Sequence, residues 1–125
     1  MTLVQLTRQA PRSEALIRVY KNQVAINAAA ARLLDLHNKD MVNVLVDKDA
    51  QASGRGNRLY IGKAKSNAYQ VLRRRSSFRI CCTALARSIA EALEGTGTYR
   101  ICPEDSETDF NGEVYYNIFF KKYHD

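Results

Sequence analysis

The 125-residue chain has no tryptophan, two histidines, three cysteines and two prolines, and each scarcity excludes a class of chemistry. His37 lies in a polar turn and His124 is next to the last residue, so neither is expected to serve a catalytic nucleophile, and the chain reads as a non-enzyme. Cys81, Cys82 and Cys102 are odd in number and show no CxxC or Cys/His spacing. That argues against both zinc and a disulfide framework and leaves small buried residues as the expectation. Gly54 and Gly56 lack the lysine and helix context of a phosphate loop, and read as hairpin glycines. The acidic stretch of Glu104, Asp105, Glu107 and Asp109 lacks the glycine and terminal glutamate of a calcium loop. No cofactor or metal is therefore expected. No apolar run is long enough for a membrane span, and the first residues lack the pattern of a secretory signal. A cytoplasmic protein without membrane contact is the expectation.

What is present is an ordinary globular composition, 46% hydrophobic and 26% charged, with a net charge of +6 spread unevenly. Residues 1–103 carry 17 Lys and Arg against 7 Asp and Glu, while residues 104–125 carry 2 against 6. A basic body is what phosphate neutralisation needs, although solubility alone also explains such a charge.

The centre of the chain is Gln23 to Asp49. Val24 and Ile26 alternate as a short strand, Asn27 suits a helix cap, and Ala28 to Leu34 are strong helix formers, with the helix ending near Leu36. After the polar turn His37–Asp40, Val42, Val44 and Val46 alternate as a strand with an apolar inner face. Ala15–Tyr20 precedes this unit as a strand, and the Ala50–Asn57 loop joins it to the strand Arg58–Lys63. The second half repeats the order: strands at Tyr69–Arg73 and Phe78–Cys81, a helix at Thr83–Glu94, a strand at Tyr99–Cys102, an acidic loop at Pro103–Gly112, and an aromatic strand at Val114–Tyr123. Helix and later strands align at an offset of 55, matching Val44 with Tyr99 and Val46 with Ile101; the earlier strands align at 54, matching Val24 with Phe78. The expected organisation is an N-terminal arm (1–13) and one domain (14–125) made of two pseudo-repeats, 14–66 and 67–125.

The run Gln23, Val24, Ile26, Leu34, Leu36, Lys39, Asp40, followed by alternating valines, resembles the core of the AbrB-like swapped-hairpin family of bacterial DNA-binding regulators. Two positions depart from its pattern: Asn27 stands where proline is usual, and Ala28–Ala31 replaces a charged first turn. The resemblance implies an α+β, mainly β fold, a compact interleaved barrel of two strand-strand-helix-strand-strand halves. One chain would supply both units, as in the MraZ-like branch. It also implies a role in transcription regulation or as a mobile-element accessory protein, acting as a monomer or homodimer on double-stranded DNA. Carried over by position, Arg18, Lys21, Arg73, Arg74 and Arg75 would face DNA, with Arg32 and Arg87 as helix candidates. The bland reading of the arginine run is a solvated corner paired with the acidic loop. Tyr115, Tyr116, Phe119, Phe120 and Tyr123 with Lys121 and Lys122 make single-stranded nucleic acid a lesser alternative. A structural or protein-interaction module on the same scaffold is the competing class.

Overall fold

The computed structural model describes residues 14–47, 58–65, 68–108 and 112–123. The N-terminal arm, the hairpin loop with Gly54 and Gly56, Asp109 and His124 lie outside the described residues. Among the described residues, nine strands and two helices follow one another as β1 (Leu16–Val19), β2 (Val24–Ile26), α1 (Ala28–Leu33), β3 (Met41–Asp47), β4 (Arg58–Ala64), β5 (Tyr69–Gln70), β6 (Leu72–Arg74), β7 (Ser77–Ile80), α2 (Thr83–Ala92), β8 (Gly97–Thr108) and β9 (Val114–Lys122). The strands form one sheet in the order β5-β3-β4-β9-β8-β1-β2-β7-β6. Only Val71 separates β5 from β6, so the two ends of the sheet are consecutive chain and the sheet is nearly closed and barrel-like. Val71 donates its N–H to Asp40 O (2.8 Å) and accepts from Lys39 N (3.0 Å), tying the ends together.

Alternation in the short strands fills the interior. Residues opposite one another in a ladder share a face, so Tyr99, Ile17, Ile26 and Phe78 form one inward row and Val19, Val24 and Ile80 the next. Leu59, Ile118 and Ile101 form a third across β4, β9 and β8. These rows, with Leu34, Leu85 and Ile89 from the helical segments, make one core drawing on both halves of the chain. At about 25 cal/mol per Å² of apolar surface, burial of this kind is the main stabilising term.

Asn27 secures two elements at once. Its Oδ1 accepts from Ala30 N (2.8 Å), capping α1, and from Leu16 N (3.0 Å), while its Nδ2 donates to Glu14 O (3.0 Å). One side chain thus fixes the helix start and the start of β1, the job of an N-cap extended to a neighbouring strand. α1 stops at Leu33, short of the expected Leu36, because Asp35 turns into the left-handed region (φ 54°).

Three expectations need correction. Val46 is 48% exposed and Val44 only packs against the core, leaving Val42 as the buried valine of β3. β5 covers only Met41 and Val42, so among the described residues the rest of β3 pairs with β4 alone. The acidic stretch is not a loop: β8 runs through it to Thr108, pairing Ser106 with Tyr116 and Glu107 with Tyr115. β9 begins early enough to offer those partners, and Pro103, Glu104 and Asp105 are accommodated in a bulge between Cys102 and Ser106. Finally, Cys81 is exposed and Cys82 half-buried; both precede α2, and only Cys102 is buried.

At Gly62 a side chain is sterically barred. A Cβ there would lie 2.4 Å from Val114 O and 2.9 Å from the Tyr115 ring.

Candidate nucleic-acid interface

β1, β2, β7 and β6 lie side by side, and their outward row reads Arg18, Ala25, Arg79, Leu72. On β7 the alternation is strict: Phe78 and Ile80 are buried, so Ser77 and Arg79 point out. Tyr20, at the end of β1, lies beneath two guanidinium groups, with Arg18 5.3 Å and Arg79 5.7 Å from its ring centroid. Each such contact at a partly exposed site contributes about 0.5–1 kcal/mol. Here it also holds two cations near one another on an open face.

The β6–β7 hairpin brings Arg74, opposite Ser77, to the same face; Arg73, opposite buried Phe78, leaves the strand on the other face and reaches the groove's edge at the turn. Arg74 pairs with Ser77, leaving Arg75 and Ser76 as a two-residue turn. Arg75 has φ 58°, a left-handed conformation at a position that glycine commonly fills. Arg73 is held at both ends: its N–H donates to Asn38 Oδ1 (3.0 Å) and its Nε to Arg75 O (3.0 Å). Arg73, Arg74, Arg75 and Arg79 line one open groove with Gln23 and Ser77. Among the described residues no carboxylate lines that groove, and none of the ion pairs involves these four arginines.

The acidic stretch directs its carboxylates elsewhere. Asp105 pairs with Arg58, and Glu104 receives both terminal nitrogens of Arg100, at 2.9 and 3.1 Å. The hydrogen bond from Arg100 holds the Glu104 carboxyl below its ordinary value, and the same bond raises the guanidinium. Nearby, burial pushes the Cys102 thiol up, with Glu104 and Asp105 adding to the effect against the opposing charge of Arg100. A thiol so held is a poor nucleophile.

The remaining expected residues divide. Arg32, exposed on α1, shares a neighbouring hollow with Arg73, His37, Asn38 and Ser76. His37 itself helps shape the turn into β3. Partial burial raises the Asp40 carboxyl, but the His37 N–H at 2.7 Å and the Lys63 ammonium at 3.2 Å outweigh that and leave it lowered. Lys21 is exposed in the turn between β1 and β2, and Arg87 is exposed on α2 and lines neither hollow. Sequence reasoning missed Arg79 and Tyr20. Arg79 was legible, because it sits between two apolar residues of a period-two strand and so faces outward. Among the described residues no group of three His, Cys, Asp or Glu is placed to hold a metal ion, and no helix is long and apolar enough to cross a membrane.

Compared with known families, curated proteins and solved structures, the chain matches no family model, no curated protein and no solved structure.

Proposed function

We propose that the chain is a non-enzymatic, AbrB-like DNA-binding protein that sits on duplex DNA through arginine contacts to phosphate, in transcription regulation or as a mobile-element accessory protein. The observation that carries this reading is the groove of Arg73, Arg74, Arg75 and Arg79, four cations with no carboxylate partner among the described residues. Arg18 joins them through Tyr20. Guanidinium groups left unpaired on an open face suit phosphate oxygens, which accept their forked donors.

In this reading the barrel is one hairpin–helix–hairpin unit used twice, its halves interleaved. The strand ladders support it. Val42 pairs with Lys63, and the matching residues Ile101 and Ile118 pair with each other. Ile17 pairs with Tyr99, and the matching Val71 meets Asp40. β2 with β7 and β4 with β9 pair in registers that map onto themselves when the halves are exchanged, about Ala25–Arg79 and Ile61–Tyr116. This matching sets Val42, not Val46, opposite Ile101. The difference of four residues equals the extra length of α2, ten residues, over α1, six. One added helical turn explains why an alignment without gaps paired an exposed valine with a buried isoleucine.

The second reading, a protein-interaction module, is favoured by Phe119 and Phe120. They are 42% and 52% exposed, stand 5.0 Å apart, and flank a hollow lined also by Arg58 and Arg100. Titration of a labelled mixed-sequence duplex at about 50 mM salt, low enough to favour phosphate contacts, separates the two. Binding whose logarithm falls linearly with log salt is expected; no binding at that salt overturns the DNA reading in favour of the interaction module.

A further inference from the structure

We infer that this surface grips duplex DNA in one orientation, from one side, and selects sites that are not inverted repeats; the inference rests on the DNA reading above. The strand pairing has an approximate two-fold axis, and the charge on it does not. The axis passes between Ala25 and Arg79, which pair with each other and occupy matching places in β2 and β7. On either side, Val24 pairs with Ile80 and Ile26 with Phe78, each pair exchanging into the other when the halves are swapped.

Carried along the two hairpins, that exchange sets Arg73 against Val19, Arg74 against Tyr20, Arg75 against Lys21 and Arg79 against Ala25. In return Arg18 is set against Leu72, which is 40% exposed. Residues 72–80 thus carry four arginines, whereas residues 18–26 carry one arginine and one lysine, and neither hairpin holds an acid. The bare positions are filled by side chains that make no phosphate contact. Val19 is buried in the core, Ala25 is too short to reach, and Tyr20 is covered by the two guanidinium groups.

A protein with true two-fold symmetry presents equal half-surfaces, and its sites mirror that symmetry as palindromes. Here one half-surface holds the groove and the other does not. Phosphate contacts therefore concentrate on the β6–β7 side. Reversing the protein on a given site moves the cluster to different phosphates and different bases, so the two orientations differ in affinity wherever the sequence or its shape is read at all.

Cys81 supplies a probe position, being exposed and directly after β7, while Cys82 is half-buried and Cys102 buried. The full chain is used to select duplexes from a pool with a randomised central segment. An iron chelate tethered to Cys81 in a Cys82→Ala variant then cleaves the recovered sites. The expected result is a recovered sequence without inverted repeats and a several-fold excess of cleavage on one flank, the same flank in every site. The selection uses the unmodified chain, so its sequence result stands even if the variant or the tether disturbs the fold. Inverted repeats, equal cleavage of both flanks, or retention with no sequence preference overturns the oriented mode and leaves the DNA reading standing. If no duplex is retained at about 50 mM salt, both readings fall.

Discussion

The arginines of the β6–β7 hairpin and those facing the β8 bulge are the same side chain with two fates. Arg58 and Arg100 have carboxylates brought to them: the bulge carries Asp105 and Glu104 within reach, and each guanidinium is used up in a pair. Arg73, Arg74, Arg75 and Arg79 stand on a tight hairpin with no acid of its own and none delivered by another described element. Charge counted along the chain does not distinguish the two groups. What does is whether the fold brings a carboxylate within about 4 Å, the range over which an ion pair forms.

Replacing Arg73, Arg74, Arg75 and Arg79 together by alanine should give the largest effect. Under the DNA reading the slope of log affinity against log salt shrinks by roughly 0.9 for each phosphate left without its arginine, while stability falls only by about 0.5–1 kcal/mol for loss of the Arg79–Tyr20 contact. The pair Arg58→Ala and Arg100→Ala should do the reverse, leaving duplex binding unchanged and lowering stability slightly, as exposed ion pairs do. Salt-dependent titration and melting of both variants break the comparison if the effects are exchanged.

Gly62→Ala tests whether the acidic side depends on close strand packing. Its Cβ would meet Val114 O at 2.4 Å, so a loss of about 1–3 kcal/mol is expected in chemical denaturation. The variant should leave the arginine groove intact, and unchanged stability would show that β9 yields easily there.

Arg75→Gly sharpens the contrast within a single residue. Glycine adopts positive φ without the roughly 1 kcal/mol cost borne by other residues, so stability should rise slightly or hold. Affinity should nevertheless fall, because one phosphate is no longer neutralised, a slope change of roughly 0.9. A fall in melting temperature would mean that the Arg75 side chain braces the turn.

The smallest effect expected is of pH. The Glu104 carboxyl titrates lower in the folded chain than unfolded, so its pair with Arg100 favours folding above the ordinary glutamate range and is lost as pH falls through the folded value. Melting followed from neutral pH down through that range should show a slightly steeper decline for the natural chain than for Glu104→Gln. The arginine groove, holding no acid, should add no such slope of its own.

Much of the fold was legible because it rests on local rules. Period-two alternation located the inner rows at Ile17, Val19, Val24 and Ile26, the helix former run located α1, and Asn27 announced its cap. What escaped depends on partners distant in sequence. Nothing in the valines of β3 says that β5 stops covering them after Val42, and nothing in Pro103–Thr108 says that β9 will be there to pair. At the site, the arginine run was visible as composition, and its freedom from carboxylates was not. That freedom depends on where the bulge sends Glu104 and Asp105.

The ladder between β5 and β3 pairs only two residues on each strand, extended by the two bonds of Val71. It is the shortest ladder of the described sheet, so this junction is where solvent deuterium should enter first. The Val71 amide, though wholly buried, is expected to exchange faster than that of Ile61 in the middle of β4, and the β6–β7 hairpin should swing with it while keeping its bonds to β2. The arginine groove is mounted beside that short ladder, so a polyanion spanning Arg73 and Arg79 should slow the exchange at Val71.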